Sequence, residues 1–379
     1  MLNDSTSNIK LQSKEAAYLK EVDVFIWDEA PMSPKYGLTV MNKLLQSIMG
    51  NNKLFGGKIV VLGGDFRQLL PVLVRGTRAE TLNLSIKYSS LWNSFKLFPL
   101  HRNMRALPEE QEFAKFVLDV GNGTLNDNND NLDLQIPEQC VSYNFNASAE
   151  IFGNYIKERK FSEMSKCAIL SARNVDVDEI NKEVVKLLDP NGERIYTSVD
   201  SADNIDDNGE MANLLLPEYL NSLNPASLPP NKLHLRRNAI IMLIRNISIN
   251  EGLCNGTRLR VLDLSNNLIK CEILTGDKSG EVVFLNRITL ICDDEYPFTF
   301  KRRQFPVKLA FAMTINKSQG QTFNKIGIDL RRDVFNHGQL YVAISRVRSW
   351  NSLKIYLGSH RQNKIVKNNV YKELYEKNY

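Results

Sequence analysis

Two adjacent carboxylates, Asp28 and Glu29, follow a short apolar run over residues 22–27. The β-branched and aromatic side chains of this run predict a buried strand of a parallel sheet. Open parallel sheets bind their ligands at the carboxyl ends of the strands. In nucleoside triphosphatases, one carboxylate at this place holds Mg²⁺ and a second orients the attacking water. A bare Asp-Glu pair is also common in solvated loops, so the preceding strand is what favours a catalytic interpretation.

A second polar segment follows the next apolar run, 58–62. It reads Gly-Gly-Asp-Phe-Arg-Gln-Leu-Leu-Pro over residues 63–71. Glycines let a backbone approach a ligand closely, and Gln68 could contact a γ-phosphate or the water that attacks it. The same residues could form an ordinary turn and loop. Apolar residues at helical spacing predict a helix over 38–49, and thus a β-α-β unit that brings both polar segments to one edge of a sheet.

Arginine side chains recur in two further segments. Arg102 and Arg105 precede a predicted helix over 108–120, and Arg346 lies in a predicted helix over 339–348. Guanidinium groups suit the charge that develops on a phosphoryl group during its transfer. Arginines beside helices are also ordinary surface features, so neither segment is specific by itself.

The polar stretch that follows an apolar run near residue 312 contains Thr314, Asn316, Lys317 and Gly320. Small donors, one lysine and one glycine suit contacts to phosphate groups from both side chains and backbone. These residues could equally form a solvated loop.

Composition and charge narrow the class of protein. The 379 residues suggest two or three domains of roughly 100–200 residues each. No apolar run reaches the roughly 18 residues of a membrane helix. The five cysteines form no Cys-x-x-Cys pair, which favours reduced structural thiols over zinc or disulfides. Residues 301–379 hold 16 Lys and Arg against 4 Asp and Glu, a net charge of +12. This charge favours an anionic partner, although a solvated basic face has the same composition.

The remaining patterns indicate an α/β protein with an antiparallel insertion. Alternating apolar residues, separated by Asn-Gly and glycine-rich turns over 240–285, predict the hairpins of a small β-module. The acidic and then proline-rich region 200–230 predicts an irregular connection, and 121–133 predicts a loop. Further elements are predicted as strands at 167–170, 325–330 and 353–357 and as a helix at 175–188.

In this order the segments resemble the Pif-one (petite integration frequency) DNA helicases, the RecD-like branch of superfamily one, and especially the forms carried by Helitron transposons. The resemblance spans about residues 20–357. The matching runs are Asp-Glu-Ala-Pro-Met at 28–32, Gly-Gly-Asp-Phe-Arg-Gln at 63–68, Asn-Met-Arg at 103–105, Gly-Leu-Cys-Asn-Gly-Thr-Arg-Leu at 252–259, Arg-Arg-Gln-Phe-Pro-Val at 302–307, Thr-Ile-Asn-Lys-Ser-Gln-Gly-Gln at 314–321 and His-Gly-Gln-Leu-Tyr-Val-Ala-Ile-Ser-Arg-Val at 337–347.

The resemblance implies roles in ATP hydrolysis for five residues. Asp28 would hold Mg²⁺ through water, and Glu29 would be the catalytic carboxylate. Gln68 would sense the γ-phosphate and couple hydrolysis to movement. Arg105 and Arg346 would both reach the γ-phosphate.

Four other residues receive binding roles from the same resemblance. Gly320 would approach the nucleotide, while Thr314, Asn316 and Lys317 would contact DNA. Many relatives have histidine where this chain has Asn316, and asparagine keeps a donor but cannot become charged.

The implied fold has two RecA-like parallel-sheet domains, the first of them incomplete, and a small inserted antiparallel β-barrel. The first domain would be residues 1–105. The second would comprise 106–232 and 301–379, with the barrel module over 233–300.

The implied activity is that of an ATP-dependent 5′-to-3′ DNA helicase that uses ATP and Mg²⁺. Its partners would be single-stranded DNA and DNA junctions, with no membrane and no obligate protein partner. The family works in DNA repair, recombination and telomere maintenance, and a transposon origin would imply strand displacement during transposition. The implied location is intracellular, in the nucleus or the mitochondrion.

The chain departs from the family in lacking a phosphate-binding G-x-x-x-x-G-K-[ST] run. Gly56-Gly57-Lys58 precedes its predicted strand instead of following it, and Gly276-Asp277-Lys278-Ser279 lies in a predicted hairpin turn. We therefore expect a chain that is truncated at its N-terminus, with an unpaired sheet edge, exposed apolar surface and low solubility.

Two other functions stay open at this point. The chain could be an inactive helicase remnant that only binds single-stranded nucleic acid through its basic tail and β-module. It could also be a different nucleoside triphosphatase of the same architecture, such as an RNA helicase.

Overall fold

The structure is a computed structural model that describes residues 5–73, 75–126, 132–144, 146–203, 216–293, 295–358 and 363–375. The chain divides into two compact units. Unit 1 comprises Met1–Pro137, Asp333–Trp350 and Arg361–Tyr379. Unit 2 comprises Glu138–Arg332 and Asn351–His360.

The described residues contain both helices and strands in each unit. The α-helices are α1 (Lys14–Glu21), α2 (Tyr36–Met49), α3 (Arg78–Leu84), α4 (Gln111–Asn122), α5 (Ala147–Lys157), α6 (Phe161–Met164), α7 (Asn174–Leu187), α8 (Pro217–Ser222) and α9 (Gln339–Ile344). The strands are β1 (Val24–Trp27), β2 (Ile59–Leu62), β3 (Asp133–Gln135), β4 (Val141–Ser142), β5 (Cys167–Ser171), β6 (Arg194–Thr197), β7 (Val199–Asp203), β8 (Lys232–Leu235), β9 (Ile240–Leu243), β10 (Arg258–Leu264), β11 (Ile269–Ile273), β12 (Val282–Leu285), β13 (Ile288–Cys292), β14 (Thr299–Gln304), β15 (Val307–Leu309), β16 (Ala312–Thr314), β17 (Lys325–Asp329), β18 (Leu353–Tyr356) and β19 (Ile365–Lys367).

The predicted β-α-β unit is present in unit 1. Strands β1 and β2 pair in parallel, so that Trp27 lies opposite Leu62, and helix α2 connects them. Helix α2 buries Leu38 and Leu45 and is capped at its C-terminus by Gly50, whose left-handed φ of 63° suits a glycine. The apolar spacing that predicted the helix therefore marks its buried side. Both polar segments lie at the carboxyl edge of this strand pair.

The other face of the β1–β2 pair is apolar and exposed. The exposed fractions are 46% for Val24, 78% for Ile26, 60% for Ile59 and 47% for Val61. In the described part of unit 1, this sheet has two strands, which leaves strand edges without a partner. The exposed surface predicted from the sequence is therefore present. Contiguous apolar surface of this kind promotes association.

We expect this face to make the chain bind hydrophobic dyes and self-associate. The double change Ile26→Thr with Val61→Thr keeps side chains that favour strands but removes half of the four apolar groups. It should lower the fluorescence of bound anilinonaphthalene sulfonate by about half and shift the chain toward monomer in sedimentation. Dye binding and sedimentation that equal those of the unmodified chain would contradict this expectation.

Unit 2 contains the second parallel sheet, in the order β16-β5-β17-β18-β4, with every neighbouring pair parallel. Strand β5 is buried along its whole length, as expected for a central strand covered on both faces. Helices α5 and α7 pack against it. These elements confirm the predicted α/β class.

Antiparallel strands form the rest of unit 2. One sheet has the order β12-β11-β10-β9-β15, another has the order β13-β14-β7, and β6 pairs with β8. The predicted hairpins over 240–285 are therefore confirmed, and the antiparallel region also takes in strands outside the predicted module 233–300. Closure into a barrel stays a prediction. The predicted irregular connection contains β7 and α8, while residues 204–215 lie outside the described part.

A buried ion pair ties two of these strands together. Arg302 and Asp200 lie opposite each other on β14 and β7, and their side chains are 0% and 1% exposed. Arg302 donates to both carboxylate oxygens of Asp200, at 2.9 and 2.7 Å. It also donates to the Pro229 and Leu223 carbonyls, both at 3.0 Å. The buried charge of Arg302 is thus compensated by the Asp200 carboxylate and by these carbonyl groups together.

Replacing Asp200 with alanine should lower the free energy of unfolding by about 3–5 kcal/mol, because it leaves the Arg302 charge buried and unpaired. A matched control is Asp203→Ala, which removes the neighbouring, partly exposed pair with Lys301 and should cost at most about 1 kcal/mol. Chemical denaturation measures both. Equal losses for the two variants would show that burial does not set the energy of the Asp200 pair.

The division into units differs from the predicted domain boundaries. The segments 106–137, 333–350 and 361–379 belong to unit 1, whereas the prediction assigned them to the second RecA-like domain. Contacts distant in sequence explain the difference, because α4 packs against α9 and β3 pairs with β19. Trp350 also packs on the Phe113 and Phe116 rings, with centroids 5.1 and 4.9 Å away.

Other predictions concern the cysteines, the glycine-lysine run at 56–58, the loop 121–133 and membrane helices. All five cysteines are free thiols. Lys58 donates to the Lys20 carbonyl at 2.8 Å, so it caps the end of α1 instead of belonging to a phosphate loop. Part of the predicted loop 121–133 lies outside the described residues. Within the described ranges, no helix is both long and apolar enough to cross a membrane.

Candidate functional site

Asp28 and Glu29 occupy the turn that follows β1. The turn is tied to the end of β2, since the Gly63 N–H donates to the Trp27 carbonyl and the Ala30 N–H donates to the Gly63 carbonyl, both at 2.9 Å. The Glu29 N–H donates to Asp28 Oδ1 at 2.9 Å. Asp28 is exposed and Glu29 is half-buried. Both carboxylates therefore lie at the sheet edge where the sequence predicted them.

The backbone of this turn is strained. Glu29 has a φ of 51°, in the left-handed region that side chains other than glycine seldom adopt. Opposite it, Gly64 has a φ of 151°, and a Cβ there would lie 2.3 Å from Pro31 Cδ. Strain of this kind collects at functional sites, where the surrounding structure enforces it.

Gln68 lies in the loop that follows β2. Its N–H donates to the Asp65 carbonyl at 3.0 Å, which closes a turn. Its side-chain oxygen Oε1 is buried and has no hydrogen-bond partner within the described residues. A buried acceptor without a donor is costly and calls for an explanation. An amide oxygen can accept from the O–H of a water but not from phosphate oxygens, so this atom suits the attacking water, and the amide N–H₂ suits phosphate.

Arg346 is 1% exposed and lies just after α9. Its Nε donates to the Val342 carbonyl at 2.9 Å, and one terminal nitrogen donates to the Ser345 hydroxyl at 2.8 Å. Burial first, and then the nearby charge of Arg105, lower the pKa of Arg346 to about 10. Glu29 acts in the opposite direction and favours the charged form. Arg346 therefore stays a cation at neutral pH within the electrostatic reach of the Glu29 carboxylate.

Arg105 is exposed and joins the same region of unit 1. One terminal nitrogen donates to the Ser345 carbonyl at 3.2 Å. The Asn103 side chain accepts from the Arg105 N–H at 2.9 Å and shapes the turn around it. The charge of Arg105 lowers the pKa of Arg346, so the two guanidinium groups repel each other, and a bound anion would relieve this repulsion.

A network that sequence reasoning missed fixes the Gln68 loop. Asp65 accepts from the Arg67 N–H at 2.9 Å and from the Arg67 guanidinium at 3.1 Å. The Tyr341 hydroxyl donates to the other oxygen of Asp65 at 2.8 Å. Arg67 Nε also donates to the Asn122 side chain at 2.7 Å. The runs at 63–68 and 337–347 both carried the family resemblance, but no pattern in the sequence shows that they meet.

His337 reinforces this network from a buried position. Its Nδ1 accepts from the Tyr371 N–H at 2.9 Å, and its Nε2 lies 2.7 Å from the Phe66 carbonyl. Because Nδ1 is an acceptor, the proton of the neutral ring is on Nε2, which donates to Phe66. Burial lowers the pKa of His337 to about 4, and the charge of Arg78 acts in the same direction.

This pKa predicts a pH dependence of stability. An unfolded chain takes up a proton on His337 near pH 6.5, whereas the folded chain does so only near pH 4. The free energy of unfolding should therefore fall by about 3 kcal/mol as the pH drops from 6.5 to 4. Denaturation curves at pH 7 and pH 4.5 test this expectation. His337→Gln should flatten the dependence, while the charged groups near the ring, Asp65, Glu373 and Arg78, are the same in both proteins. An unchanged slope would exclude His337 as its source.

The predicted DNA-contacting residues lie together in unit 2. Thr314 ends β16 and pairs with Ser171 of β5, which places it at the carboxyl edge of the second parallel sheet. Asn316 and Lys317 follow in a short 3₁₀ turn; Asn316 is half-buried and Lys317 is exposed. Gly320 has a φ of 76° and open space where a Cβ would be. The chain therefore offers a cation and several small donors at this edge.

The predicted site residues fall into two sets. Unit 1 holds the five residues predicted for ATP hydrolysis, and unit 2 holds the four residues predicted for binding. The residues of unit 1 fit a nucleotide with Mg²⁺. Asp28 is an exposed carboxylate, which suits a metal that keeps most of its water, and the Gln68 oxygen and the two guanidinium groups suit the reacting end of a triphosphate.

Two family models match parts of the chain. The family model for PIF1-like helicases matches residues 2–131, and the model for the 2B domain of DNA helicase Pif1 matches residues 218–264. The first match contains both carboxylates, Gln68 and Arg105. The second lies in the antiparallel part of unit 2.

Several curated proteins are similar to the chain. The ATP-dependent DNA helicase PIF1 of Danio rerio is 28% identical over 87% of this chain and 45% of its own length. The ATP-dependent DNA helicase Pif1 of Psychrobacter is 26% identical over 89% of this chain and 54% of its own length. Human PIF1 is 36% identical over 37% of this chain and 21% of its own length. The chain thus spans about half the length of the first two relatives.

Solved structures share the fold. A Pif1 helicase from Bacteroides, in complex with ADP-AlF3 and ssDNA, superposes with a TM-score of 0.65 at 21% identity, over 96% of this chain and 76% of that one. A Pif1 structure concerned with unwinding at forked dsDNA gives a TM-score of 0.64 at 24% identity, over 92% and 73%. These structures show that the chain shares their fold, and the family models and curated relatives show that it is similar to PIF1-like helicases.

Proposed function

We propose that the chain carries the ATP-hydrolysing groups and part of the DNA-binding surface of an ATP-dependent 5′-to-3′ DNA helicase. The observation that carries this proposal is that Glu29 acts electrostatically on the buried Arg346 of the same unit. Gln68 lies on the loop that follows β2, the strand paired with β1. The curated relatives support the reaction, since they are named ATP-dependent DNA helicases.

The chemistry follows from the residues present. Asp28 would hold Mg²⁺, which neutralises charge on the phosphates when it is bound. Glu29 orients the attacking water and draws its proton, while the Gln68 oxygen accepts from the same water. Arg346 and Arg105 stabilise the charge that develops on the transferred phosphoryl group. Because Arg346 is already shielded from water, little solvent has to reorganise when its charge stabilises the transferred phosphoryl group.

Thr314, Asn316 and Lys317 would hold the phosphate backbone of single-stranded DNA. Relatives of this fold have been solved with ssDNA and at forked dsDNA, which supports these substrates for this chain. Contacts to phosphate give affinity without sequence preference and weaken as salt rises. Lys317→Ala should therefore reduce affinity similarly for different sequences.

The proposed activity is tested by phosphate release from ATP, with and without single-stranded DNA, in parallel with strand separation on forks with a 5′ or a 3′ tail. Hydrolysis that DNA stimulates, and unwinding from the 5′ tail only, would support the proposal. Unwinding from the 3′ tail would overturn the direction of movement. Hydrolysis that does not respond to DNA would overturn the helicase function.

A second candidate function is supported by the absence of a G-x-x-x-x-G-K-[ST] run from the 379 residues and by the basic segment 301–379. In this alternative the chain binds single-stranded nucleic acid without hydrolysing ATP. Binding should weaken steeply between low and high salt. Salt-sensitive binding without any ATP hydrolysis would favour this alternative, and affinity that does not change with salt would exclude it.

A role in repair, recombination, telomere maintenance or transposition and a location in the nucleus or mitochondrion are further proposals that rest on the family resemblance. Imaging of a tagged chain in its own cells tests the location.

A further inference from the structure

The loop that presents Gln68 is held from outside at the Phe66 carbonyl, in addition to the bonds that Tyr341 and Asn122 make with Asp65 and Arg67. His337 donates to this oxygen at 2.7 Å, while the Tyr375 hydroxyl reaches it only at 3.4 Å. The Phe66 carbonyl lies two residues before Gln68, so a shift of this group moves the Gln68 backbone with it.

The chain comes unusually close to the loop at the residue after His337. A Cβ on Gly338 would lie 2.3 Å from the Arg67 carbonyl oxygen and 2.8 Å from that of Gln68. Gly338 also has a φ of 71°, which favours glycine. The absence of a side chain here lets His337 approach Phe66, and the loop cannot relax toward this segment.

His337 is itself held in one orientation. The Tyr371 N–H fixes the tautomer that donates to Phe66, and the two rings stack with centroids 4.9 Å apart. Because His337 is buried and its tautomer is fixed, its bond holds the Phe66 carbonyl in one position. The Gln68 side chain, whose buried Oε1 has no protein partner in the described residues, depends on this constraint for its position.

We propose that His337 is a positioning residue for ATP hydrolysis: its bond to the Phe66 carbonyl fixes the loop that aims the Gln68 amide at the attacking water. This inference rests on the proposed function, because that function gives Gln68 its role. His337 does not touch the nucleotide in this proposal and acts only through Phe66.

Two substitutions separate the two hydrogen bonds of His337. Glutamine places an N–H₂ group where the Nε2 of histidine lies, so His337→Gln keeps the donor to Phe66 and loses the acceptor for Tyr371. Asparagine places its oxygen near the position of Nδ1, so His337→Asn keeps the acceptor and loses the donor. Tyr375→Phe is a matched control that removes only the long bond to Phe66 and a bond of 3.3 Å to the Gly121 carbonyl.

The first measurement is hydrogen exchange of the backbone amides of Arg67 and Gln68 in the 379-residue chain without nucleotide. Both amides are bonded within the loop, at 2.9 and 3.0 Å. His337→Asn should speed their exchange about tenfold, the equivalent of one lost hydrogen bond. His337→Gln and Tyr375→Phe should stay within about twofold of the unmodified chain. Faster exchange in His337→Gln, equal effects in both His337 variants, or no effect in either would overturn the proposal.

The second measurement is the rate of ATP hydrolysis in a form of the protein that hydrolyses ATP. His337→Asn should lower kcat with little change in KM for ATP, and His337→Gln should restore kcat. A loss of kcat in His337→Gln as large as that in His337→Asn would overturn the positioning role. Absence of hydrolysis in the unmodified protein would count against the proposed function, while the exchange result would still decide how His337 acts on the loop.

Discussion

Replacing Glu29 with glutamine is expected to lower the rate of ATP hydrolysis by about 10²–10⁴-fold and to leave ATP binding unchanged. Glutamine keeps the size of the side chain and can still bond a water, but it cannot take the proton of that water. The backbone at Glu29, with its φ of 51°, lies beside the hydrogen bonds that tie the ends of β1 and β2 together. The substitution should therefore remove chemistry without moving the turn.

The measurement is phosphate release at saturating single-stranded DNA, together with equilibrium binding of a fluorescent ATP analogue. Glu21→Gln, at the exposed end of α1, is a matched control that makes the same chemical change away from the sheet edge. It should leave both quantities unchanged. Hydrolysis in Glu29→Gln at the rate of the control would refute the role of Glu29.

Replacing Arg346 with alanine is expected to lower kcat by about 10²–10³-fold, the usual cost of removing one group that stabilises charge in the transition state. Arg346 is 1% exposed and feels both Arg105 and Glu29. Lysine at this position would keep a charge but lose the planar fork that bonds Val342 and Ser345 together. Arg346→Lys should therefore recover only part of the lost rate.

Arg348→Ala is the matched control for Arg346, because Arg348 is exposed and lies two residues further along. It should hydrolyse ATP at nearly the unmodified rate. Thermal melting of all three variants separates loss of chemistry from loss of fold, since removing a buried guanidinium also leaves carbonyl groups unsatisfied. A rate for Arg346→Ala equal to that for Arg348→Ala, with both proteins folded, would contradict the assignment.

The elements closest to the two carboxylates could be predicted from local sequence alone. Strand β1 is an apolar run that stops at Asp28, and the helical spacing over 38–49 coincides with the buried side of α2. Such patterns arise because one side of a helix or strand is buried, and the apolar residues of that side recur along the local sequence at a regular spacing. The parallel pairing of β1 with β2 followed from the helix between them.

Contacts between distant segments could not be predicted in this way. Tyr341 and Asp65 are 276 residues apart in sequence, and their hydrogen bond depends on the packing of α4 against α9. The predicted helix over 339–348 is shorter in the structure and ends at Ile344. The sequence identifies His337 and Tyr341 as residues, but only the structure shows that they contact the loop that carries Gln68.

DNA-stimulated hydrolysis, compared in matched proteins with and without the Glu29→Gln substitution, tests most directly whether these residues hydrolyse ATP in response to DNA. The measurement is made on the 379-residue chain and on the same chain joined to the phosphate-loop segment of a Pif1 relative. We expect the joined protein to hydrolyse ATP when single-stranded DNA is added. The Glu29→Gln variant of the joined protein should hydrolyse ATP at least about 10²-fold more slowly. Hydrolysis that persists in Glu29→Gln, or a joined protein that folds and binds DNA yet releases no phosphate, would contradict the account.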